Sequence, residues 1–199
     1  YLRSLMTREK EPQIASEQNA GGVQIMSIHR SKGLEFPVVI LCDLNHRFNG
    51  ADQTSPVLVH PRLGLGTERV DTARRVRYPT ISKIAQEMEK EMLSEEMRLL
   101  YVAMTRAKEK LILVDCLKNA RSHVQKLSAL TELPVPPQVV RSAKTMGDWV
   151  LQVLLCSTEA GAIHAWAGIA PPVRESAAGW RVYLHENPTT PAAARVEEG

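Results

Sequence analysis

Five residues able to do chemistry, His29, Arg30, Lys32, Gly33 and Glu35, fall within seven positions of the stretch "SIHRSKGLE". On either side the text is apolar and β-branched, from Val23 to Ile28 and from Pro37 to Asp43. Short, nearly continuous runs of that kind predict strands buried on both faces of a parallel sheet. A polar loop at the carboxyl end of such a strand is where open α/β sheets hold their ligands. His29, Arg30 and Lys32 supply donors and charge for phosphates. Gly33 lets backbone come close to a ligand, and Glu35 can accept from hydroxyls such as those of ribose. The set suits a nucleotide or a nucleic-acid backbone. A solvated basic loop with a capping glycine accounts for the same residues equally well.

A second group lies in "EEMRLLYVAMTRAKEKLILV", Glu95 to Val114. The mostly apolar helix predicted over Met97–Met104 runs into Thr105, Arg106, Ala107 and Lys108, and so delivers an arginine with little freedom left to it. A guanidinium held at a γ-phosphate stabilises the transition state of phosphoryl transfer, worth about 10³ to 10⁵ in rate where it has been measured. Taken alone, the plainer reading is a cation pair satisfying a helix C-terminus.

The elements that must position these residues follow from period and punctuation. Ile81, Ile84, Met88 and Met92 recur at helical spacing from Thr80 onward, with Pro79 or Ser94 as candidate starts or breaks. "KLILVDC", Lys110 to Cys116, predicts a further buried strand. "PVLVHPRLGLG" predicts an inserted hairpin turning at His60-Pro61-Arg62, with Gly64 and Gly66 permitting tight geometry. Helices are expected over 118–132 and 142–156, separated by the proline-rich "LPVPPQVV". "GWRVYLHEN" alternates as a half-buried strand does, and disorder is expected after Asn187.

A formal net charge of +3 and a pI of about 8.8 permit an acidic partner such as nucleic acid without requiring one. No apolar run approaches the roughly 20 residues of a membrane span, and the first residues lack a signal peptide's apolar core, so a cytoplasmic protein is expected. Cys42, Cys116 and Cys156 are far apart, which predicts buried small hydrophobes rather than a disulfide or zinc site. His46, His60, His123, His164 and His185 lack metal-ligand spacing and read as structural or surface residues. Trp149 and Trp166 could stack on bases, although Trp149 sits at a core-like helical position. A chain that opens on Tyr and closes on an acidic tail is expected to be a piece of something longer. It contains no GxxxxGK[ST] phosphate loop, so only half of an ATPase is expected.

Together, "SIHRSKGLEFPVVIL" resembles motif V, and "EEMRLLYVAMTRA" resembles motif VI, of the UvrD-like branch of superfamily 1 DNA helicases. Within that branch, "PVLVHPRLGLG" and "SAKTMGDWVLQVLL" are most similar to the AddA family of bacterial helicase-nuclease subunits. The resemblance implies an α/β fold, a RecA-like parallel sheet flanked by helices, as the second motor domain over residues 23–118. Residues 1–22 would be a linker or the trailing edge of an inserted helical domain. Residues 119–187 would form a helical extension with one late strand, and 188–199 a disordered tail.

The same resemblance makes Arg106 the catalytic arginine at the γ-phosphate, and places Lys32, Gly33 and Glu35 with it at the ATP. Ser27, His29 and Arg30 would face single-stranded DNA; Ser27 stands where the family more often has Thr, and both keep a hydroxyl. ATP and Mg2+ would be shared with a first motor domain absent from this chain, and no metal would be held here. The implied partners are single-stranded and duplex-end DNA, that first motor domain and an AddB-like subunit. The implied setting is double-strand break repair and recombination at the bacterial nucleoid, in a parent with exonuclease activity elsewhere and a fragment inactive alone. Two alternatives stand beside it: a non-catalytic DNA- or partner-binding module derived from a helicase domain, and an unrelated α/β nucleotide-binding domain that converged on both stretches.

Overall fold

The computed structural model describes residues 22–73, 76–78, 82–129, 134–170 and 179–185. Its centre is a parallel pair of strands, β1 (Phe36–Leu41) and β6 (Ala107–Leu113), joined through everything between them. Pairing runs Phe36 to Ala107, then Val38 to Lys110 through Leu41 to Leu113, with a register shift between Phe36 and Val38. The inner face, Val39 and Leu41 opposite Leu111 and Leu113, turns toward the core; Val38 and Ile40 on the outer face stay 49% and 57% exposed.

The expected burial on both faces is therefore corrected, because no described element covers that outer side. The strand predicted over Val23–Ile28 is corrected too. Those residues are not in a strand, Val23 and Ile25 are almost fully exposed, and no described strand pairs with them. The strand expected over Lys110–Cys116 begins three residues earlier and ends at Leu113.

The segment between β1 and the long helix holds two antiparallel hairpins, β2 (Val57–His60) with β3 (Gly64–Thr67), and β4 (Arg69–Asp71) with β5 (Val76–Tyr78). The first is the hairpin expected from sequence, and Gly64 takes a positive φ of 81° where the chain enters β3. Leu58 and His60 are buried while Val57 and Val59 face outward. Leu58 packs on Ile84, with Ala85 and Met88 beside it. His60 fixes the turn: its Nδ1 accepts from the Arg62 and Leu63 N–H groups, each at 3.2 Å. The ring proton therefore sits on Nε2, which donates to Glu91 Oε2 at 3.2 Å. Arg62 adds ion pairs to Glu87 and Glu91, and Lys90 with Arg62 holds the Glu87 carboxyl below the usual range.

Helix α1 (Ser82–Met104) is one element of 23 residues, and Ser94 lies exposed within it rather than breaking it. Ile84, Leu93, Leu100 and Ala103 are its buried residues; Ile84 packs under the hairpin, and Leu93 and Leu100 join Leu44, Ala143 and Trp149 in the central core.

After β6 come α2 (Ala120–Ser128), α3 (Pro137–Ser142), α4 (Met146–Leu154) and α5 (Gly161–Ala167). The proline-rich connection contains α3, whose Pro137 stands at the first turn, where a missing N–H costs nothing. Thr145 caps α4 by accepting from Asp148 N at 3.0 Å, and Asp148 Oδ2 accepts from Lys144 N at 2.7 Å. His123 Nε2 donates to Asp148 Oδ1 at 2.7 Å, tying α2 to the start of α4. A second core, with Val124, Leu127, Leu154, Leu155 and Ile163, joins α2, α4 and α5.

These helices are bound to the sheet rather than hung from it. Phe48 N donates to Lys144 O, Gly147 N donates to Leu44 O, and the Phe48 and Trp149 rings stand 4.8 Å apart. Trp149 is core as expected, and its indole N–H donates to Val140 O. No strand forms over 180–185, though Trp180 and Val182 pack against the second core as their alternation suggested. Of the cysteines only Cys156 is buried, so Cys42 and Cys116, both exposed, correct the expectation of three buried thiols. The expected disorder after Asn187 and the reading of residues 1–21 lie outside the described residues.

Candidate functional site

The loop before β1 is built by local backbone bonds. Arg30 N and Ser31 N both donate to Ser27 O, making a turn of 3-10 helix over His29–Ser31. Ser31 is buried, and its Oγ donates to Ile28 O at 2.7 Å, which sequence reasoning missed because a lone Ser carries no signal. That anchor leaves Ser27, His29 and Arg30 exposed on one short turn. Gly33 then takes φ 82°, with nothing within 4 Å of where a Cβ would stand, so backbone there is open to a close approach.

The second group arrives from the far end of α1. Arg106 is half-buried, and its own carbonyl accepts from Phe36 N at 2.9 Å. Its guanidinium donates three times: Nε to Val102 O at 3.0 Å, Nη1 to Leu34 O at 3.0 Å and Nη2 to Thr105 Oγ1 at 3.2 Å. Next to it, Lys108 Nζ pairs with Glu35 Oε2 at 3.1 Å. Both side chains of that pair are more than half exposed, so its own worth is small, about 0 to 1 kcal/mol.

Six of the seven residues singled out in the sequence thus surround one loop, and Arg106, which is 71 positions from Glu35 in the chain, is bonded into it. The guanidinium is not free to point outward in this conformation, since backbone carbonyls hold two of its nitrogens. Tyr101 is 68% exposed on α1 and lends its carbonyl to Thr105 N. Arg98 pairs with Glu95 on the same helix.

Chemically the loop can offer cations, a backbone approach and one carboxylate, which fits a phosphate-bearing ligand. It does not fit a metal by itself: among the described residues no group of three or more His, Cys, Asp or Glu could hold one. The Mg2+ expected with ATP gains no ligand set from these residues. The described helices also include none long and apolar enough to cross a membrane.

The sequence that builds this parallel strand pair, cationic loop and incoming arginine has relatives among known proteins. Residues 3–118 match the UvrD-like helicase C-terminal domain, and the chain belongs to that family. It is 42% identical over 171 residues to the A subunit of the ATP-dependent helicase/nuclease of Thermoanaerobacter pseudethanolicus, an overlap covering 84% of this chain and 14% of that protein. The same protein of Heliobacterium modesticaldum is 41% identical over 88% of this chain and 13% of its own length. That of Exiguobacterium sibiricum is 47% identical over 67% of this chain and 12% of its own. The chain therefore spans about one-seventh or less of the length of these curated relatives.

Proposed function

We propose that this chain is the motif V and VI half of the motor of an ATP-dependent DNA helicase/nuclease, a RecA-like second motor domain with a helical extension. The observation that carries it is the bond from Arg106 Nη1 to Leu34 O, because it joins the two stretches of functional residues at a single loop. Identity above 40% to the A subunits of helicase/nucleases across most of the chain supports the same assignment. The outer face of the β1–β6 pair, with Val38 and Ile40 exposed, is what a sheet continued by other parts of a larger protein would leave here.

In this assignment ATP binds against Lys32, Gly33 and Glu35, with Glu35 accepting from ribose hydroxyls. Arg106 reaches the γ-phosphate and stabilises the charge that develops in phosphoryl transfer. Reaching it by giving up the bond to Leu34 O, rather than through the two guanidinium N–H groups that its three bonds leave over, would couple nucleotide binding to the grip on the loop. Ser27, His29 and Arg30 hold single-stranded DNA, and their turn shifts when Arg106 lets go. Mg2+ bound with ATP would supply neutralisation of phosphate charge, and the described residues offer no group of three or more ligands for it. A first motor domain, single-stranded and duplex-end DNA and an AddB-like protein are the partners, in double-strand break repair in the bacterial cytoplasm, and this chain alone hydrolyses nothing.

A second function is favoured by one observation: all three bonds of the Arg106 guanidinium are internal, as in a structural clamp of a binding module without catalysis. Single-turnover ATP hydrolysis by the full-length protein, wild type beside Arg106→Ala, separates the two. A rate loss of about 10³-fold or more with ATP binding retained supports the finger. An unchanged rate establishes the clamp.

A further inference from the structure

Between α2 and α5, away from the loop just described, lies a shallow open cleft of about 430 Å³ lined by Asn119, Arg121, Ser122, Gln125 and Trp166. Gln125 Nε2 donates to Ala167 O at 2.7 Å, and Val124, Leu127, Ile163 and Ala167 are packed in the core beneath it. Trp166 is partly exposed, and the Arg121 guanidinium carbon stands over its ring at 5.2 Å from the centroid. A guanidinium on an aromatic face forms a flat, cationic platform.

We propose that this cleft is a nucleobase-stacking subsite, taking one unpaired base of a nucleic-acid strand. A planar π-system with an adjoining cation is the chemistry that binds a base without regard to its identity, worth about 1 to 3 kcal/mol per base. Asn119, Ser122 and Gln125 line the same cleft with amide and hydroxyl groups able to bond base edges or sugar. Lys118 and Lys126, exposed before and within α2, place further positive charge near the path of the strand's phosphates. Stacking side chains are ordinary core or surface aromatics until a cation and a cleft adjoin them; Trp149, buried in the core, has neither. The proposal rests on the assignment of the chain to a DNA motor and extends it to a second contact on the helical extension.

The test measures binding of a labelled single-stranded oligodeoxythymidylate by the full-length protein, using Trp166→Ala, Trp166→Phe, Arg121→Glu and His29→Ala, each checked by its unfolding midpoint. Trp166→Ala and Arg121→Glu are expected to weaken binding roughly 5- to 100-fold, with Trp166→Phe recovering most of the loss. A free thymidine mononucleotide is expected to compete poorly. Competition by the mononucleotide as strong as by the strand would overturn the strand as ligand. Undiminished binding in the Trp166 and Arg121 variants, with His29→Ala impaired, would sink the subsite and leave the motor assignment standing. Absence of any binding by the wild type would remove both.

Discussion

Arg106 holds the backbone on both sides of Glu35: its carbonyl accepts from Phe36 N at 2.9 Å, and its guanidinium donates to Leu34 O at 3.0 Å. One residue thereby clamps the start of β1 to the end of α1. Arg106→Lys cannot reproduce this, because an ammonium lacks the fork that reaches Leu34 O and Val102 O together. The Leu34 amide, which donates to Ser31 O, is expected to exchange with solvent about 5- to 30-fold faster in the variant, from about 1 to 2 kcal/mol of lost grip. Hydrogen exchange at that position checks it; unchanged protection would mean that the turn stands without the clamp.

Glu35→Gln separates stability from ligand binding. The exposed pair with Lys108 contributes little, so the unfolding free energy should change by less than about 0.5 kcal/mol. ATP affinity of the full-length protein should drop about tenfold if the carboxylate accepts from the ribose. Titration with a fluorescent ATP analogue measures it, and an unaltered dissociation constant would leave Glu35 with only its surface pair.

His60 is 2% exposed and makes three hydrogen bonds at the turn of the first hairpin. In His60→Leu the Arg62 and Leu63 N–H groups lose their acceptor, and Glu91 keeps only its ion pair with Arg62, at a cost of about 1 to 3 kcal/mol. The hairpin should then open locally, and trypsin should cut after Arg62 at least tenfold faster than in the wild type. Equal cleavage rates would show that Leu58 alone seats the hairpin.

Asp115, just beyond β6, has both carboxylate oxygens buried with no hydrogen-bond partner for its side chain among the described residues, and a Cβ placed on Gly147 would stand 2.4 Å from Oδ2. Burial raises its pKa; the Cys116 backbone offsets part of the rise, and neighbouring Asp148 adds to it. A carboxyl raised on folding binds more protons in the folded than in the unfolded state, so stability falls as pH rises from below the usual carboxylate range through the raised value. Asp115→Asn should therefore be more stable than wild type at neutral pH, by about 1 kcal/mol, with the gap closing on acidification. Denaturant midpoints across pH read this directly; a gap that widens in acid would reverse the sign.

How much of this was legible in the sequence depended on range. The first hairpin could be read because Pro61, Gly64 and the alternation of Leu58 and His60 with Val57 and Val59 are local. The spacing of Ile84, Met88 and Met92 likewise falls within one continuous helix, while Ile81 lies outside the described residues. Val23–Ile28 and Trp180–Leu184 have the text of strands, but a strand needs a neighbour, and no described strand pairs with either. Helix α5 was missed because seven residues hold under two turns, though Gly168 at φ 70° closes it with the glycine such ends favour. At the site the residue types were readable and the clamp was not: Leu34 is an acceptor only through its backbone, which no side chain announces.

Helix α1 also sets a mechanical relation between places that look unconnected. At about 1.5 Å per residue its 23 residues make a rod of about 34 Å, with the His60 hairpin fastened along its first half and Arg106 just past its other end. From Glu87 and Glu91, where the hairpin is fastened, about 20 to 26 Å of helix remain, so a tilt of about 5° there would sweep the far end through roughly 2 Å, enough to break a hydrogen bond. Whatever presses on the hairpin from outside thus has leverage over whether the guanidinium faces Leu34 or lets it go.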